Sequence, residues 1–296
     1  MSKERTEISS LGEFGLIDHL TKNIELQNAS SVLGVGDDAA VIDHFGKQTV
    51  ITTDLLLEGV HFDLVYTPLK HLGYKSVIVN LSDVYAMNAI PTQVIMSIGI
   101  SNRFSVEAID EFYEGVYAAC NKYGVDLVGG DTTSSQKGLV ISVTAIGEVT
   151  PDTYVKRSTA KKGDLLCVSG DLGAAYVGLL FLEREKKIYM ESPGVQPDLE
   201  GESYVIGRLL KPEARKDIVE FFAKEEIQPT AMIDISDGLS SEILHICKES
   251  ALGCVLYEEK IPIAEEMKKA AFKFEIDPTA CALSGGEDYE LLFTIA

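Results

Sequence analysis

The segment QVIMSIGI (residues 93–100) is a nearly continuous apolar run, and it predicts a buried strand. On either side of it, residues 68–89 and 105–123 repeat apolar side chains at the spacing of a helix. Further out, the pattern predicts strands at 48–54, 125–131 and 139–149, and a helix at 13–27. Strands alternate with helices, but several strands also follow one another like meanders. We therefore predict an α/β (α+β) fold with mixed sheets flanked by helices.

The second half of the chain repeats this alternation. Pro151 and the basic stretch KRSTAKKGD (156–164) predict a crossover between two domains, at residues 1–150 and 151–296. Strands are predicted at 164–170, GCVLYEE (253–259) and 289–295, and a strand followed by a turn is predicted at AMIDISDG (231–238). Helices are predicted at 173–186, 202–210, 213–225, 238–250 and 264–274.

The amino-acid composition excludes several classes of protein. The chain has 296 residues, a formal net charge of −20, 46% hydrophobic and 24% charged residues, which is typical of a soluble globular protein of two domains. The negative net charge argues against a protein that binds nucleic acid and against one that binds an anionic membrane surface. No apolar run reaches the roughly 18 residues needed to span a bilayer, and the first ten residues lack a signal-peptide core, so we expect a cytoplasmic location. The five cysteines contain no CxxC and are expected to be reduced.

Seven aspartates stand out because they lie in glycine-rich turns or among apolar residues. They are Asp37, Asp38, Asp54, Asp83, Asp131, Asp234 and Asp237. Any one of them alone is more often a turn former or a helix cap. Together, beside hydroxyls such as Thr52, Thr53 and Ser236, they offer the hard oxygen ligands that Mg²⁺ or Ca²⁺ prefers.

The residues present argue against two common phosphate-binding motifs, the dinucleotide fingerprint and the Walker loop. GVGDDA (34–39) imitates a dinucleotide fingerprint, but its two aspartates would lie where a pyrophosphate binds, and AAVIDHF does not read as a helix. The sequence also lacks a Walker loop. Phosphate would therefore be bound through metal ions. Arg157 is the best candidate for a cationic phosphate contact, although a solvated linker residue is the simpler interpretation. Glu287 in SGGEDYE (284–290) is either a ligand contact or a residue that caps the turn.

The motifs together resemble one family. GEFGLI, GVGDDAA, TTDLLLEGVHF, VNLSDVYAM, GGDTT, DISDGL and SGGEDYEL, in this order from about Gly12 to the last residue, resemble the bacterial thiamine-monophosphate kinases. The resemblance implies a two-domain fold similar to aminoimidazole ribonucleotide synthetase, with an N-terminal domain that binds ATP and metal and dimerises through its sheet. It also implies direct, magnesium-assisted transfer of the γ-phosphoryl group of ATP to thiamine monophosphate, with no general base.

The resemblance assigns roles residue by residue. It implies that the magnesium ligands are Asp38, Thr52, Thr53, Asp54, Asp83, Asp131, Asp234 and Asp237, with Asp37 adjacent. It implies that the ATP contacts are Tyr113, Gly130, Asp131, Arg157 and Ser236. It implies that His61 and Glu287 contact thiamine monophosphate.

The end of the chain departs from the family pattern. Members of the family usually continue some tens of residues beyond the position of Ala296 and supply another aromatic residue to the substrate pocket, so we expect a C-terminal domain that is truncated relative to the family. Two other functions stay open. One is another ATP-using enzyme of the superfamily, such as an aminoimidazole ribonucleotide synthetase-like cyclase, and the other is a non-catalytic scaffold that binds metal or nucleotide.

Overall fold

The computed structural model describes residues 6, 10–33, 41–192 and 194–296. The chain forms two compact units. The first comprises Met1–Val84 and Ala89–Pro151, and the second comprises Tyr85–Asn88 and Asp152–Ala296. None of the described helices is both long enough and apolar enough to cross a bilayer.

Nine elements lie among the described residues of the first 151 positions. They are α1 (Gly12–Thr21), β1 (Ser31–Leu33), β2 (Val41–Ile42), β3 (Gln48–Leu57), α2 (Leu69–Ala86), β4 (Ile90–Ile100), α3 (Val106–Tyr123), β5 (Asp126–Ser134) and β6 (Val140–Val149). The main sheet has the order β3-β6-β4-β5. The pairs β3–β6 and β4–β6 are antiparallel and β4–β5 is parallel, so the predicted mixed sheet is confirmed.

The two faces of this sheet differ in burial. On the inner face, which packs against α2, Leu56, Met96 and Val143 are at most 7% exposed. On the outer face, Ile51 and Leu55 are 65% and 51% exposed. Because side chains alternate along a strand, neighbours in β3 belong to opposite faces.

Helices α2 and α3 pack with their backbones in close contact. A Cβ atom on Gly73 would lie 1.9 Å from the Phe112 carbonyl oxygen, and one on Gly115 would lie 1.9 Å from that of Lys70. Any side chain at either glycine would therefore force the helices apart. Helix α3 begins after Ser105, whose hydroxyl accepts the Ala108 N–H. This N-cap and the helical spacing explain why the predicted helix at 105–123 is confirmed.

The remaining elements belong to the second unit. They are a 3₁₀ turn (Arg157–Thr159), β7 (Leu165–Val168), α4 (Ala174–Glu191), α5 (Ser203–Leu210), α6 (Lys216–Lys224), β8 (Ala231–Asp234), α7 (Leu239–Glu249), a second 3₁₀ turn (Glu258–Lys260), α8 (Glu265–Phe272), α9 (Pro278–Ser284) and β9 (Leu291–Ile295). The sheet has the order β7-β9-β8 and is antiparallel throughout. Ile233 and Leu292 pair across it and lie in a core with Ile235 and Leu239.

Three local predictions are wrong. The predicted strand at 253–259 does not form, and Val255 there is 75% exposed. The predicted helix at 13–27 is too long, since α1 ends at Thr21 and no helix follows over residues 22–27. Asp54 and Asp131 were placed on turns, but each lies inside a strand three residues before its end. The pairing of β3 continues through Leu57 because its alternating apolar residues continue past the aspartate.

Candidate active site

A cluster of oxygen ligands lies where β3 meets α2. Thr52 and Asp54 project from the inner face of β3, and Asn80 and Asp83 are one turn apart on α2. The Thr52 hydroxyl donates to Asp83 Oδ2 at 2.7 Å, and the Asp54 N–H donates to Asn80 Oδ1 at 3.0 Å. The side chain of Asn80 is fully buried and also donates to the Ser76 carbonyl. Asn80 and Asp83 of α2 thus each bind one position of β3.

The electrostatics of this cluster favour a cation. Burial and the nearby charge of Asp83 together raise the pKa of Asp54 to about 6, against the opposing effect of His61. His61 accepts the Leu57 N–H on Nδ1 at 3.0 Å, so its ring is held beside the same end of β3. Two carboxylates that disfavour each other's ionisation are stabilised when a metal ion lies between them.

The donor set fits magnesium. Mg²⁺ is usually held by one or two carboxylates together with water and substrate phosphates. Asp54, Asp83 and the Thr52 hydroxyl supply such a set, all through oxygen. Among the described residues, no three His, Cys, Asp or Glu side chains converge into a preformed metal centre. Such a centre is not required when a substrate brings phosphate oxygens.

Asp131 lies on the opposite edge of the same sheet. The register aligns Asp54 with Val143, Met96 and then Gly130, so three strand spacings, on the order of 14 Å, separate the two edges. Asp131 is one residue further and therefore faces the outer side, where it is exposed. Within one copy of the chain, the structure does not bring Asp131 to the Asp54 cluster.

Three other predicted residues of the first unit have different surroundings. Thr53 lies on the outer face, where its hydroxyl donates to the Val143 carbonyl at 3.0 Å. Gly130 allows close strand packing, since a Cβ atom would lie 1.9 Å from the Met96 carbonyl oxygen. Tyr113 is 7% exposed and packs against the ring of Tyr117. Asp37 and Asp38 lie outside the described residues.

In the second unit, two predicted motifs meet. Asp234 ends β8 and begins the aspartate turn (residues 234–237), which also carries Ser236 and Asp237. The glycine turn (residues 285–289) carries Glu287. The Glu287 N–H donates to the Ser236 carbonyl at 2.8 Å, and a Cβ atom on Gly286 would lie only 2.2 Å from that oxygen. The glycine is thus required for the backbones of the two turns to touch.

A buried carboxylate that the sequence did not suggest supports the aspartate turn. Glu242 is 2% exposed, and its Oε1 accepts the Asp237 N–H at 3.3 Å. Burial raises the pKa of Glu242, the charge of Asp237 adds to this, and Arg157 lowers it. Arg157 therefore lies close enough to influence Glu242. The position of Glu242, on the first turn of α7 after DISDG, was the available signal.

The glycine turn has an unusual backbone. Glu287 and Tyr289 have φ angles of +66° and +53°, in the left-handed region that non-glycine residues rarely adopt. Asp288 lies between them, and its Oδ2 accepts the Gly173 N–H at 2.8 Å. Burial raises the pKa of Asp288 to about 7. Residues in such conformations persist only when their surroundings fix them.

An ion cluster follows the glycine turn, and we call it the Glu290 cluster. Glu290 is fully buried, and its carboxylate accepts from Arg208 Nη1 at 2.9 Å, Arg215 Nη1 at 2.8 Å and Ser169 Oγ at 2.6 Å. Sequence reasoning missed both arginines because they lie 82 and 75 residues away in the chain. No spacing pattern reports such a contact.

Comparison with known proteins shows which protein family the chain is similar to. The family described as AIR synthase related protein, N-terminal domain, matches residues 36–149. The thiamine-monophosphate kinase of Aquifex aeolicus is 38% identical over 287 residues, which are 97% of this chain and 87% of that protein.

Solved structures agree. The crystal structure of thiamine-monophosphate kinase from Stenotrophomonas maltophilia K279a has a TM-score of 0.80 and 33% identity, covering 96% of this chain and 86% of that chain. The structure of AaThiL complexed with AMPPCP and TMP has a TM-score of 0.74 and 35% identity, covering 100% of this chain and 88% of that chain.

Proposed function

The chain belongs to the thiamine-monophosphate kinase family, and from this premise we propose that it transfers the γ-phosphoryl group of ATP to thiamine monophosphate, forming thiamine diphosphate. One observation carries the proposal. The hydrogen bond from the Glu287 N–H to the Ser236 carbonyl joins the turn assigned to ATP with the turn assigned to the acceptor. Phosphoryl transfer requires donor and acceptor to be held side by side.

The chemistry requires positioning rather than a base. A phosphate monoester has a second pKa near 6, so the acceptor is largely dianionic at neutral pH and is already a nucleophile. Bound magnesium would offset the repulsion between acceptor and triphosphate and stabilise charge on the transferring group. Asp54, Asp83 and Thr52 are the described residues that would hold magnesium in the first unit. Asp234 and Asp237 are those that would hold magnesium in the second unit.

The remaining residues orient the substrates. Arg157 lies near Glu242 and would contact the phosphates of ATP. His61 and Glu287 would contact thiamine monophosphate. The transfer is a direct in-line displacement without a phospho-enzyme. With chiral γ-phosphate we expect inversion at phosphorus, and retention would contradict a single displacement.

The activity test is direct. The chain, ATP and MgCl₂ should release ADP and form thiamine diphosphate in equal amounts only when thiamine monophosphate is present. Unphosphorylated thiamine is the matched control, since it lacks the nucleophilic phosphate. ADP release without the acceptor would favour another superfamily enzyme, and no turnover at all would favour a scaffold.

We further propose that the chain acts as a homodimer joined through the outer face of the first sheet. Two features support this. Ile51 and Leu55 leave an apolar stripe on that face. In addition, Asp131 is exposed on that face, whereas Asp54 projects from the inner face of the edge strand β3. We propose that Asp131 of a second copy joins the Asp54 cluster around the edge of β3.

Complementation tests this arrangement. The Asp54→Asn and Asp131→Asn chains should each be inactive. When they are mixed by refolding, half of the dimers are heterodimers and each has one intact pair, so about a quarter of wild-type activity should return. Refolding each variant alone is the control. A mixed sample that stays inactive, although heterodimers form, would show that the two aspartates act within one copy.

A further inference from the structure

The Glu290 cluster draws together parts of the second unit that are distant in sequence. Arg208 lies in the last turn of α5 and Arg215 immediately precedes α6, and the two guanidinium groups bind different oxygens of the Glu290 carboxylate. The glutamate side chain is 0% exposed, whereas those of the arginines are 18% and 20% exposed. A carboxylate removed from water is stable only when such partners compensate its charge.

The cluster is connected to the glycine turn by short covalent and hydrogen-bonded steps. Glu290 directly follows Tyr289, whose φ is +53°. Arg208 also donates from Nη2 to the Asp288 carbonyl at 3.2 Å, and the Glu290 carbonyl accepts the Ile235 N–H at 2.8 Å. The strained turn is therefore fixed at its C-terminal end by the two arginines.

The aspartate turn and the glycine turn depend on the Glu290 cluster to different degrees. The aspartate turn has supports of its own, because it continues strand β8 and its Asp237 N–H is bound by Glu242. The glycine turn has φ angles that its sequence disfavours at Glu287 and Tyr289. Loosening the cluster should therefore release the glycine turn first.

We propose that Arg215 is a positioning residue for the acceptor substrate. Through Glu290 it holds the glycine turn in the conformation that presents Glu287 to the thiamine monophosphate. This role rests on the proposed function only in the assignment of Glu287 to that substrate. Arg215 contacts no reacting atom, so its effect is on binding of the acceptor rather than on the chemical step.

The chain offers a matched control. Arg215 also binds Asp217, through Nε at 3.0 Å and Nη2 at 2.7 Å, and the side chain of Asp217 is 65% exposed. Asp217→Asn weakens this outer pair and leaves the contact with Glu290. Arg215→Gln removes the contact with Glu290, and Arg215→Lys keeps one positive charge near the carboxylate.

The experiment measures KM for both substrates, kcat and thermal unfolding. For Arg215→Gln we expect KM for thiamine monophosphate to rise about ten-fold while KM for ATP changes less than about two-fold. Arg215→Lys should recover part of the loss, and Asp217→Asn should match the wild type. Equal rises in both KM values, or a lower unfolding temperature with both KM values unchanged, would overturn the positioning role.

Hydrogen exchange gives a readout that is independent of turnover. The amides of Glu287 and Tyr289 are hydrogen-bonded to the Ser236 and Ile235 carbonyls. In Arg215→Gln they should exchange faster than in the wild type, whereas the amides of β8 should not. Unchanged exchange at both amides would overturn the proposal even if the enzyme is active. A wild-type chain that makes no thiamine diphosphate would contradict the proposed function instead, and the exchange comparison would still decide the role of Arg215 in the turn.

Discussion

In the first unit, the candidate ligands Thr52, Asp54 and Asp83 lie on a regular strand and helix, whereas the candidate contacts of the second unit lie on two turns. The strand is held by ten paired positions along β6, and its ligands need no unusual backbone. The glycine turn has two left-handed residues and depends on a buried ion cluster. A ligand on a sheet can therefore be changed without disturbing its support, while a contact on a strained turn is coupled to the stability of its surroundings.

The largest expected effect is on turnover. Asp54→Asn should lower kcat at least about a thousand-fold, because a magnesium ligand that also orients the transferring group is lost. The unfolding temperature should be unchanged or slightly higher, since the variant removes a half-buried charge but keeps the N–H that Asn80 binds. A variant with near-normal rates across a magnesium titration would remove Asp54 from the metal site. Glu114→Gln, on the exposed pair with Lys70, is the control.

The second effect is on stability. Glu290→Gln should lower the free energy of unfolding by about 3 kcal/mol, because two partly buried arginines lose their carboxylate. Urea unfolding measures this, and Thr52→Val in the first unit provides the comparison, with a smaller loss of about 1 kcal/mol. A Glu290→Gln chain as stable as the wild type would show that the glycine turn does not depend on the cluster.

The smallest expected effect is on how the stability of the first unit depends on pH when no metal is bound. The pKa of Asp54 rises from 3.8 to about 6 on folding, so the stability that this group contributes is complete below the lower value and is lost as the pH rises through the higher one. In Asp54→Asn, a plot of the free energy of unfolding against pH should be flatter between these two pKa values.

Metal binding should show the opposite trend, because protons compete with the ion for the carboxylate. In the absence of substrates, the affinity of the wild type for Mn²⁺ should fall up to about ten-fold per pH unit below pH 6, and that of Asp54→Asn should be weak and nearly constant. Equal slopes for both chains would assign the titration to another group.

The sequence predicted regular elements well where periodicity is strong. Helix α3 and strand β6 match the predictions within one residue, since caps and apolar spacing are local signals. The failed strand at 253–259 shows the limit. Its apolar residues suit a strand, but no neighbouring strand pairs with them among the described residues, and pairing is a tertiary property.

The site was predictable as a list of residues but not as an arrangement. The motifs selected Asp54, Asp131 and Glu287, yet only the sheet order separates the first two by three strand spacings. Asn80 and the Glu290 cluster support the candidate ligands through contacts between distant segments, whereas Glu242 lies only five residues from Asp237. Asn80 and Glu290 belong to quoted motifs, but their partners Arg208 and Arg215 belong to none, because a buried partner is determined by its position in space.

The placement of Asp54 and Asp131 on opposite edges of one sheet also has a genetic consequence. In the proposed homodimer, each site takes one of these aspartates from each copy. A chain with both substitutions would then disable both sites of any dimer it enters, including the sites of a wild-type partner. Expressed together with the wild type in equal amounts, it should behave as a dominant inhibitor, leaving about a quarter of the dimers active.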